Sequence, residues 1–201
     1  MRLLIATTNR HKVAEIRRVL DCLAIEFSTL DDCPAVAAPE EIGRTFEENA
    51  RAKAHYYADA TRELTVAEDS GLEIDALDGT PGVESARYGG EGISYPEKFT
   101  LIYDALERAG AAASPARFVC ALAIATPDRV LFEARGTVEG RIAPEPKGSS
   151  GFGYDPIFFY PPYGRTLAEV TVEEKAEVSH RGKAFRALRG YLEREMLREH
   201  R

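Results

Sequence analysis

The run "RFVCALAIATPDRVLFEARGTVEGRIA", residues 117–143, does most to limit how this chain can fold. It is long, apolar and β-branched on both sides of Pro127-Asp128, a pattern that reads as an antiparallel hairpin. Around it the chain alternates element types. "RLLIA" reads as a buried strand, "TTNRH" as a polar turn and "KVAEIRRVL" as a helix. The chain thus opens with a strand-loop-helix unit whose loop lies at the strand's C-terminal end, where α/β proteins put ligands. "IEFSTL" reads as a second strand. After a Pro/Ala-rich connection, "TFEENARAKAHYYADA" begins with Thr45 and Glu48, the spacing of a capping box at a helix N-terminus. "ELTVAEDSGLEIDAL" reads as two strands meeting at an acidic turn, and "YPEKFTLIYDALERA" as another helix. In the last segment Phe185, Leu188, Leu192 and Met196 recur at helical spacing. With no repeat, no low-complexity tract and no long linker, the expectation is one mixed α/β domain over residues 1–201.

Composition narrows the function classes. A chain of 201 residues with 44% hydrophobic content supplies enough apolar surface for a substantial core. Its 26 Lys and Arg against 33 Asp and Glu give a net charge of −7, and no basic run interleaves with aromatics, so a nucleic-acid partner is not expected. A local group of cations, or a bound metal ion, still suits a small anionic ligand. Cys22, Cys33 and Cys120 are odd in number, far apart and outside metal-ligand spacing, which suits reduced thiols. The apolar stretch in "MRLLIATTNRHK" is too short for a signal peptide or a membrane span. A cytoplasmic location without a membrane partner is expected.

Four clusters carry candidate chemistry. Thr7, Thr8, Asn9 and Lys12 follow the first strand, where helix-start amides plus a lysine suit a phosphate; the plainer reading is an Asn or Thr cap with a solvated lysine. Glu41, then Glu68 and Asp69 after an apolar strand, supply the hard oxygen ligands that Mg²⁺ takes, against the plainer reading of a solvated acidic turn. Asn49 and Lys53 lie one helical turn apart. In "GSSGFGYDPIFF", residues 148–159, Phe152 and Tyr154 sit on a glycine-permitted loop with Asp155, an arrangement suited to a stacked base read along one edge. The competing reading is a β-bulge whose rings are core, preferred for Phe158 and Phe159. Lys175, His180 and Arg181 place three donors before the last helix, where they suit phosphate or a base carbonyl, or simply solvent and a cap.

In order along the chain, "LIATTNRHK", "TFEENARAKA", "AEDSGLEIDALDGTPGVESARYGG", "GFGYDPIF" and "SHRGKAFRAL" resemble the Ham1/RdgB-like inosine triphosphate pyrophosphatases. That family hydrolyses non-canonical purine nucleoside triphosphates (ITP, dITP, XTP) to the monophosphate and pyrophosphate. The resemblance implies a mixed α/β fold with an elongated central sheet, flanking helices, two lobes around a nucleotide cleft, and a homodimer. It implies that the loop Thr7, Thr8, Asn9, Arg10, His11 and Lys12 contacts substrate. Asp69 is then metal ligand and proton acceptor, with Ser70 beside it on the substrate. Phe152, Gly153, Tyr154, Asp155, Lys175, His180 and Arg181 line the nucleotide site, Phe152 stacking on the base. Lys53 matches a phosphate contact. Glu41, with Glu40 beside it as the alternative, matches the second carboxylate near Mg²⁺, and Glu68 completes the metal's surroundings. The chain departs from the family pattern at Thr8, where glycine is usual, and at Glu68, where aspartate is usual.

The charge that develops on a leaving pyrophosphate calls for Mg²⁺, Lys12, Lys53 and Arg181 as electrostatic stabilisers, while Asp69 orients or deprotonates the attacking water. Donors from His180 or Arg181 toward a 6-carbonyl favour inosine and xanthosine over adenine. Two rival readings remain: a non-catalytic nucleotide-binding regulator, and a Maf-like pyrophosphatase acting on pyrimidine or modified nucleotides.

Overall fold

In the computed structural model, residues 2–33, 36–111 and 113–199 are described, without the side chains of the last two. Strand β1 (Arg2–Ile5) leads into helix α1 (Arg10–Leu20), and β2 (Glu26–Thr29) precedes α2 (Phe46–Thr61). Then come β3 (Thr65–Ile74), α3 (Tyr95–Arg108), β4 (Pro115–Ala125) and β5 (Val130–Ile142). The short strands β6 (Phe158–Tyr160) and β7 (Arg165–Thr166) are followed by α4 (Val172–Val178) and α5 (His180–Glu199). The seven strands form one sheet in the order β2-β1-β3-β4-β5-β6-β7. β1 runs parallel to β2 and β3, whereas β6 is antiparallel to β5 and β7, so the sheet is mixed. Only four residues join β4 to β5, too few for a crossover, so the expected hairpin forms; Thr126 N–H donates to Arg129 O across its turn.

The chain divides into two compact units. The first comprises Met1–Asp69, Cys120–Gly136 and His180–Arg201. Here β1 is buried on both faces. Leu3 and Ile5 pack with Ile16 and Leu20 of α1 and Phe185, Leu188 and Leu192 of α5, while Leu4 packs with Ala54, Tyr57 and Ala58 of α2. A strand covered on both sides reads as an unbroken apolar run, which is why "RLLIA" was legible as a buried strand. The same alternation continues on β3: Val66 belongs to the α1/α5 face and Ala67 to the α2 face. Gly136 on β5 is what lets α5 approach, because a Cβ there would lie 2.2 Å from His180 O.

The second unit comprises Ser70–Val119 and Thr137–Ser179. Its core gathers Leu72 and Ile74 of β3, Phe99, Ile102 and Leu106 of α3, and Phe118, Val138, Ile157 and Phe158. Phe118 and Phe158 pack with ring centroids 4.5 Å apart. Phe158 is thus core, as expected from the sequence, whereas Phe159 is only partly buried under the Arg141 guanidinium. Gly140 admits this strand pair, since a Cβ there would lie 2.5 Å from Phe159 O.

Three local expectations change. "ELTVAEDSGLEIDAL" is not two strands about an acidic turn: β3 runs unbroken through Glu68, Asp69, Ser70 and Gly71. The turn was expected because paired carboxylates usually seek water; here each meets a cation inside the protein and the strand need not leave the sheet. Of the donors expected just before the last helix, only Lys175 precedes it. Lys175 lies on α4, which Thr171 caps, and His180 and Arg181 form the first turn of α5. At α2 only half of the capping box closes: Thr45 Oγ1 accepts from Glu48 N–H, but the Glu48 carboxylate accepts from Arg44 N–H instead. His200, read as part of the last helix, lies outside the described residues.

Candidate active site

Successive side chains on a strand point to opposite faces, so Glu68 and Asp69 cannot serve the same side of β3. Asp69 continues the face of Ala67 toward α2. There Lys53 Nζ lies 3.3 Å from Asp69 Oδ1 and 2.8 Å from Glu41 Oε1. Asn49 Nδ2 donates to Asp69 Oδ2 at 3.0 Å. One turn of α2 thereby delivers both a cation and an amide to the same carboxylate, because positions 49 and 53 share a helical face. Burial pushes the Asp69 carboxyl upward, and although Lys53 and the Asn49 amide pull it back, the net shift is above the ordinary aspartate value. For Lys53, burial pulls the ammonium down but Asp69 and Glu41 outweigh it, leaving the lysine raised and charged.

Two carboxylates, Glu41 and Asp69, therefore already share one cation. Mg²⁺ is bound by one or two carboxylates together with waters and substrate phosphates, and this pair of hard oxygen donors fits that demand. Among the described residues no group of three or more His, Cys, Asp or Glu is arranged to hold a metal ion. Glu68, expected as the third ligand, is the reason.

Glu68 continues the face of Val66 toward α1 and α5. Lys12 Nζ stands 2.6 Å from Glu68 Oε1, Arg181 Nη2 3.5 Å from Oε2, and Cys120 Sγ donates to Oε2 at 3.3 Å. Burial pushes the Glu68 carboxyl up, but Arg181 and Lys12 outweigh it and hold it well below the usual carboxylate range. Burial, and Glu68 beside it, drive the Cys120 thiol well above its ordinary value, so this cysteine is the structural thiol its sequence context indicated. Arg181 also donates to Glu15 Oε2 at 2.6 Å and is 2% exposed. Its guanidinium is committed to two carboxylates, which corrects the expectation of a base contact through that group: its influence passes through Glu68 to Lys12. His180 is buried beside it.

The first loop caps its own helix. Asn9 Oδ1 accepts from His11 N–H and Lys12 N–H, and Asn9 N–H donates to Thr7 Oγ1. The plainer reading of Asn9 as cap therefore holds. Lys12 is neither solvated nor aimed at open water, since it pairs with Glu68. Thr8, Arg10 and His11 are exposed. Arg62 and Asp78 are the non-glycine residues with positive φ among those described, so Thr8 adopts the loop without the positive φ that a glycine makes easy.

In the second unit the aromatic loop divides by burial. Tyr154 is 3% exposed, packs edge-on against Tyr95, and donates its hydroxyl to Ser85 O at 2.8 Å. It belongs to the core rather than to an open ligand surface. Phe152 is partly buried, and Lys175 Nζ stands 4.6 Å from its ring centroid. Asp155, 2% exposed, accepts from Phe152 N–H at 2.8 Å and from Lys175 Nζ at 2.5 Å. It ties the loop to α4 rather than offering its edge to solvent. Gly151 is required beside it: φ is +73° and a Cβ would lie 2.1 Å from Asp155 Oδ2. Gly153 likewise takes φ +69°, and Ser70 follows Asp69 directly on β3. The sequence offers Asn49 only as a neighbour of Lys53 on one helical face and Cys120 only as a reduced thiol, and it gives no signal for Glu15.

A family model described as the Ham1 family matches residues 3–191. The dITP/XTP pyrophosphatase of Exiguobacterium sibiricum is 44% identical over 192 residues, covering 96% of this chain and 97% of that one. That of Halalkalibacterium halodurans is 43% identical over 94% of this chain and 98% of its own. Among solved structures, a HAM1 protein from Coxiella burnetii superimposes with a TM-score of 0.88 at 39% identity, covering 96% of this chain and 99% of that one. A nucleoside-triphosphatase / dITP/XTP pyrophosphatase from Mycobacterium abscessus gives 0.76 at 41% identity, covering 94% and 98%. Since the likeness in sequence and in fold runs nearly from end to end, the chain belongs to the Ham1 family.

Proposed function

We infer that this protein hydrolyses non-canonical purine nucleoside triphosphates, ITP, dITP and XTP, to the nucleoside monophosphate and pyrophosphate. The observation that carries the reading is the partly buried Glu41-Lys53-Asp69 arrangement, found in a chain whose relatives are dITP/XTP pyrophosphatases. Water supplies the oxygen of the new P–O bond, the bridging α–β phosphoanhydride breaks, and the electron pair leaves on pyrophosphate. Asp69 takes the water's proton, a role suited by a carboxylate fixed by Asn49 and Lys53. Lys53, held charged by two carboxylates, and Lys12, held in place by Glu68, offset the charge on the phosphates. Glu41 and Asp69 would hold Mg²⁺, which would supply Lewis-acid polarisation and charge neutralisation. Phe152 offers its ring to the base, which stacks on the face away from the Lys175 ammonium or displaces it, while His180 serves as a donor toward a 6-carbonyl. The non-catalytic regulator is disfavoured because pure binding has no use for a raised, cation-paired carboxylate.

The test is hydrolysis with Mg²⁺ of ITP, XTP, dITP, GTP, ATP, dTTP and UTP, with pyrophosphate and orthophosphate quantified separately. Pyrophosphate release from the first three far above GTP and ATP is expected, and EDTA should abolish it. Release of orthophosphate, equal rates on ATP, or preference for dTTP and UTP as in the Maf-like alternative would overturn the reading. Assembly as a homodimer in the cytoplasm is part of the same proposal, and light scattering of the purified protein tests the dimer.

A further inference from the structure

Asn49 is 2% exposed, and a buried carboxamide must place both of its ends. Its oxygen accepts from Gly43 N–H at 2.8 Å and its nitrogen donates to Asp69 Oδ2 at 3.0 Å. The orientation of the amide is dictated rather than chosen: a backbone N–H on one side demands the oxygen, and a carboxylate on the other demands the nitrogen. Gly43 must come this close. A Cβ there would lie 2.5 Å from Asn49 Oδ1 and 2.9 Å from Glu48 Cβ, although its φ is not in the left-handed region. The Asn49 amide is thus a strut that ends on Asp69 at one side and, at the other, on the backbone two residues from Glu41. Parallel to it, Lys53 bridges the same two carboxylates through Glu41 Oε1 and Asp69 Oδ1.

The strut distinguishes the two oxygens of Asp69. Oδ2 is fixed by a neutral amide, while Oδ1 faces the lysine and, through it, Glu41. A carboxylate free to rotate would present either oxygen and would split its population between them. We propose that Asn49 is a positioning residue: it locks the Asp69 carboxylate and, through Gly43, the Glu41 segment, so that Asp69 Oδ1 and Glu41 are held together toward the reacting phosphates and their cation. This deepens the pyrophosphatase reading and rests on it for the catalytic consequence, but not for the consequence in metal binding. Hydrogen-bonding partners behind a metal-binding or catalytic carboxylate typically change affinity or activity by 10- to 100-fold when removed.

The experiment uses Asn49→Ala, Asp69→Asn and the double variant, with ITP turnover and, separately, Mn²⁺ affinity in the absence of nucleotide by electron paramagnetic resonance. Asn49→Ala should lower kcat by roughly 10- to 100-fold with KM for ITP within about threefold, and should weaken Mn²⁺ by a similar factor. If Asn49 acts through Asp69, adding Asn49→Ala to Asp69→Asn should cost little more, whereas a merely structural asparagine gives additive losses. Gly43→Ala, at the far end of the strut, provides a second variant should Asn49→Ala fail to fold, and should lower kcat in the same direction. Wild-type kcat and Mn²⁺ affinity in both Asn49→Ala and Gly43→Ala, or an additive cycle, overturns the proposal. Failure of the wild-type chain to release pyrophosphate from ITP instead strikes the functional reading, and the Mn²⁺ titrations still decide the strut.

Discussion

Glu68 and Asp69 are neighbours on β3, both buried and both paired with lysine, yet the two faces of the strand put them to different use. On the α1/α5 face, Glu68 meets Arg181, Lys12 and the Cys120 thiol, so two fixed cations surround one carboxylate and hold it ionised. On the α2 face the arrangement differs: Asp69 and Glu41 share the cation of Lys53, with a neutral amide behind. A carboxylate held between two cations is a structural anchor. Carboxylates that share a cation can accept a proton or a divalent ion. The difference lies in how the cations face each carboxylate, and it separates effects on stability from effects on rate.

Breaking the first face should have the largest effect. Glu68→Gln removes the charge that faces Lys12 and buried Arg181, and because Arg181 keeps Glu15 the loss should fall near the lower end of the about 3–5 kcal/mol typical of a broken buried ion pair. For a chain of this size each 1 kcal/mol lowers Tm by roughly 2–4 °C, so thermal unfolding should show a drop on the order of 10 °C. The acid limb sharpens the point. The folded-state value of Glu68 is depressed, so its stabilising contribution is present above the ordinary glutamate range and is lost as pH falls through the folded value. Wild-type Tm should therefore decline below about pH 4, and Glu68→Gln should decline less over that window. A variant as stable as wild type, with the same acid limb, would remove the contrast between the faces.

Breaking the second face should act on rate. Asp69→Asn keeps shape and hydrogen bonding but removes the charge and the proton acceptor, so kcat on ITP should fall at least ~10²-fold, the lower end for a lost general base. Stability should change far less than in Glu68→Gln, because Lys53 retains Glu41. Near-wild-type kcat at saturating Mg²⁺ would move the proton acceptor to Glu41.

The residues that the sequence made legible were those whose signal is local. β1, the long hairpin and the helices follow from periodicity and caps, and Asn9 and Thr45 cap α1 and α2 where their positions suggested. The five motifs identified the family and brought Asp69, Glu41 and Lys53 forward together. What could not be read was direction. Whether Glu68 joins Asp69 depends on whether β3 turns or continues at that point, and that depends on cations arriving from α1, α2 and α5, distant from β3 in the sequence. Tyr154 and Phe152 are two residues apart on one loop, but only the contacts of Tyr154 with Tyr95 and Ser85 make it core.

That loop supplies an effect of a third kind. Phe152→Ala should raise KM for ITP mainly, because a stacked base is held alike in ground and transition states. Aromatic stacking contributes roughly 1–3 kcal/mol per base in nucleic-acid binders, which corresponds to about 5- to 150-fold in KM. Neither kcat nor Tm should follow, since Asp155 accepts from the Phe152 backbone and from Lys175 whichever side chain stands there. Unchanged KM would mean that the ring's partner is Lys175 alone.

The smallest effect belongs to Thr8, the exposed residue at which the family resemblance leads to an expectation of glycine. Had the loop required positive φ, Thr8→Gly would relieve strain and stabilise the protein. Thr8 is not among the positive-φ residues, and its neighbours are already tied together, Asn9 N–H to Thr7 Oγ1 and the Asn9 carboxamide to the first turn of α1. Glycine there gains nothing in the folded state and adds freedom to the unfolded one, so Thr8→Gly should lose about 0.4–1 kcal/mol of stability. Turnover should stay within about twofold, because Lys12 is positioned by Glu68 and not by the loop's backbone. Denaturant unfolding and ITP kinetics on the same preparation decide it: a gain in stability would restore the strain argument, and a large change in kcat would show that the loop, rather than the Glu68 face, sets the position of Lys12.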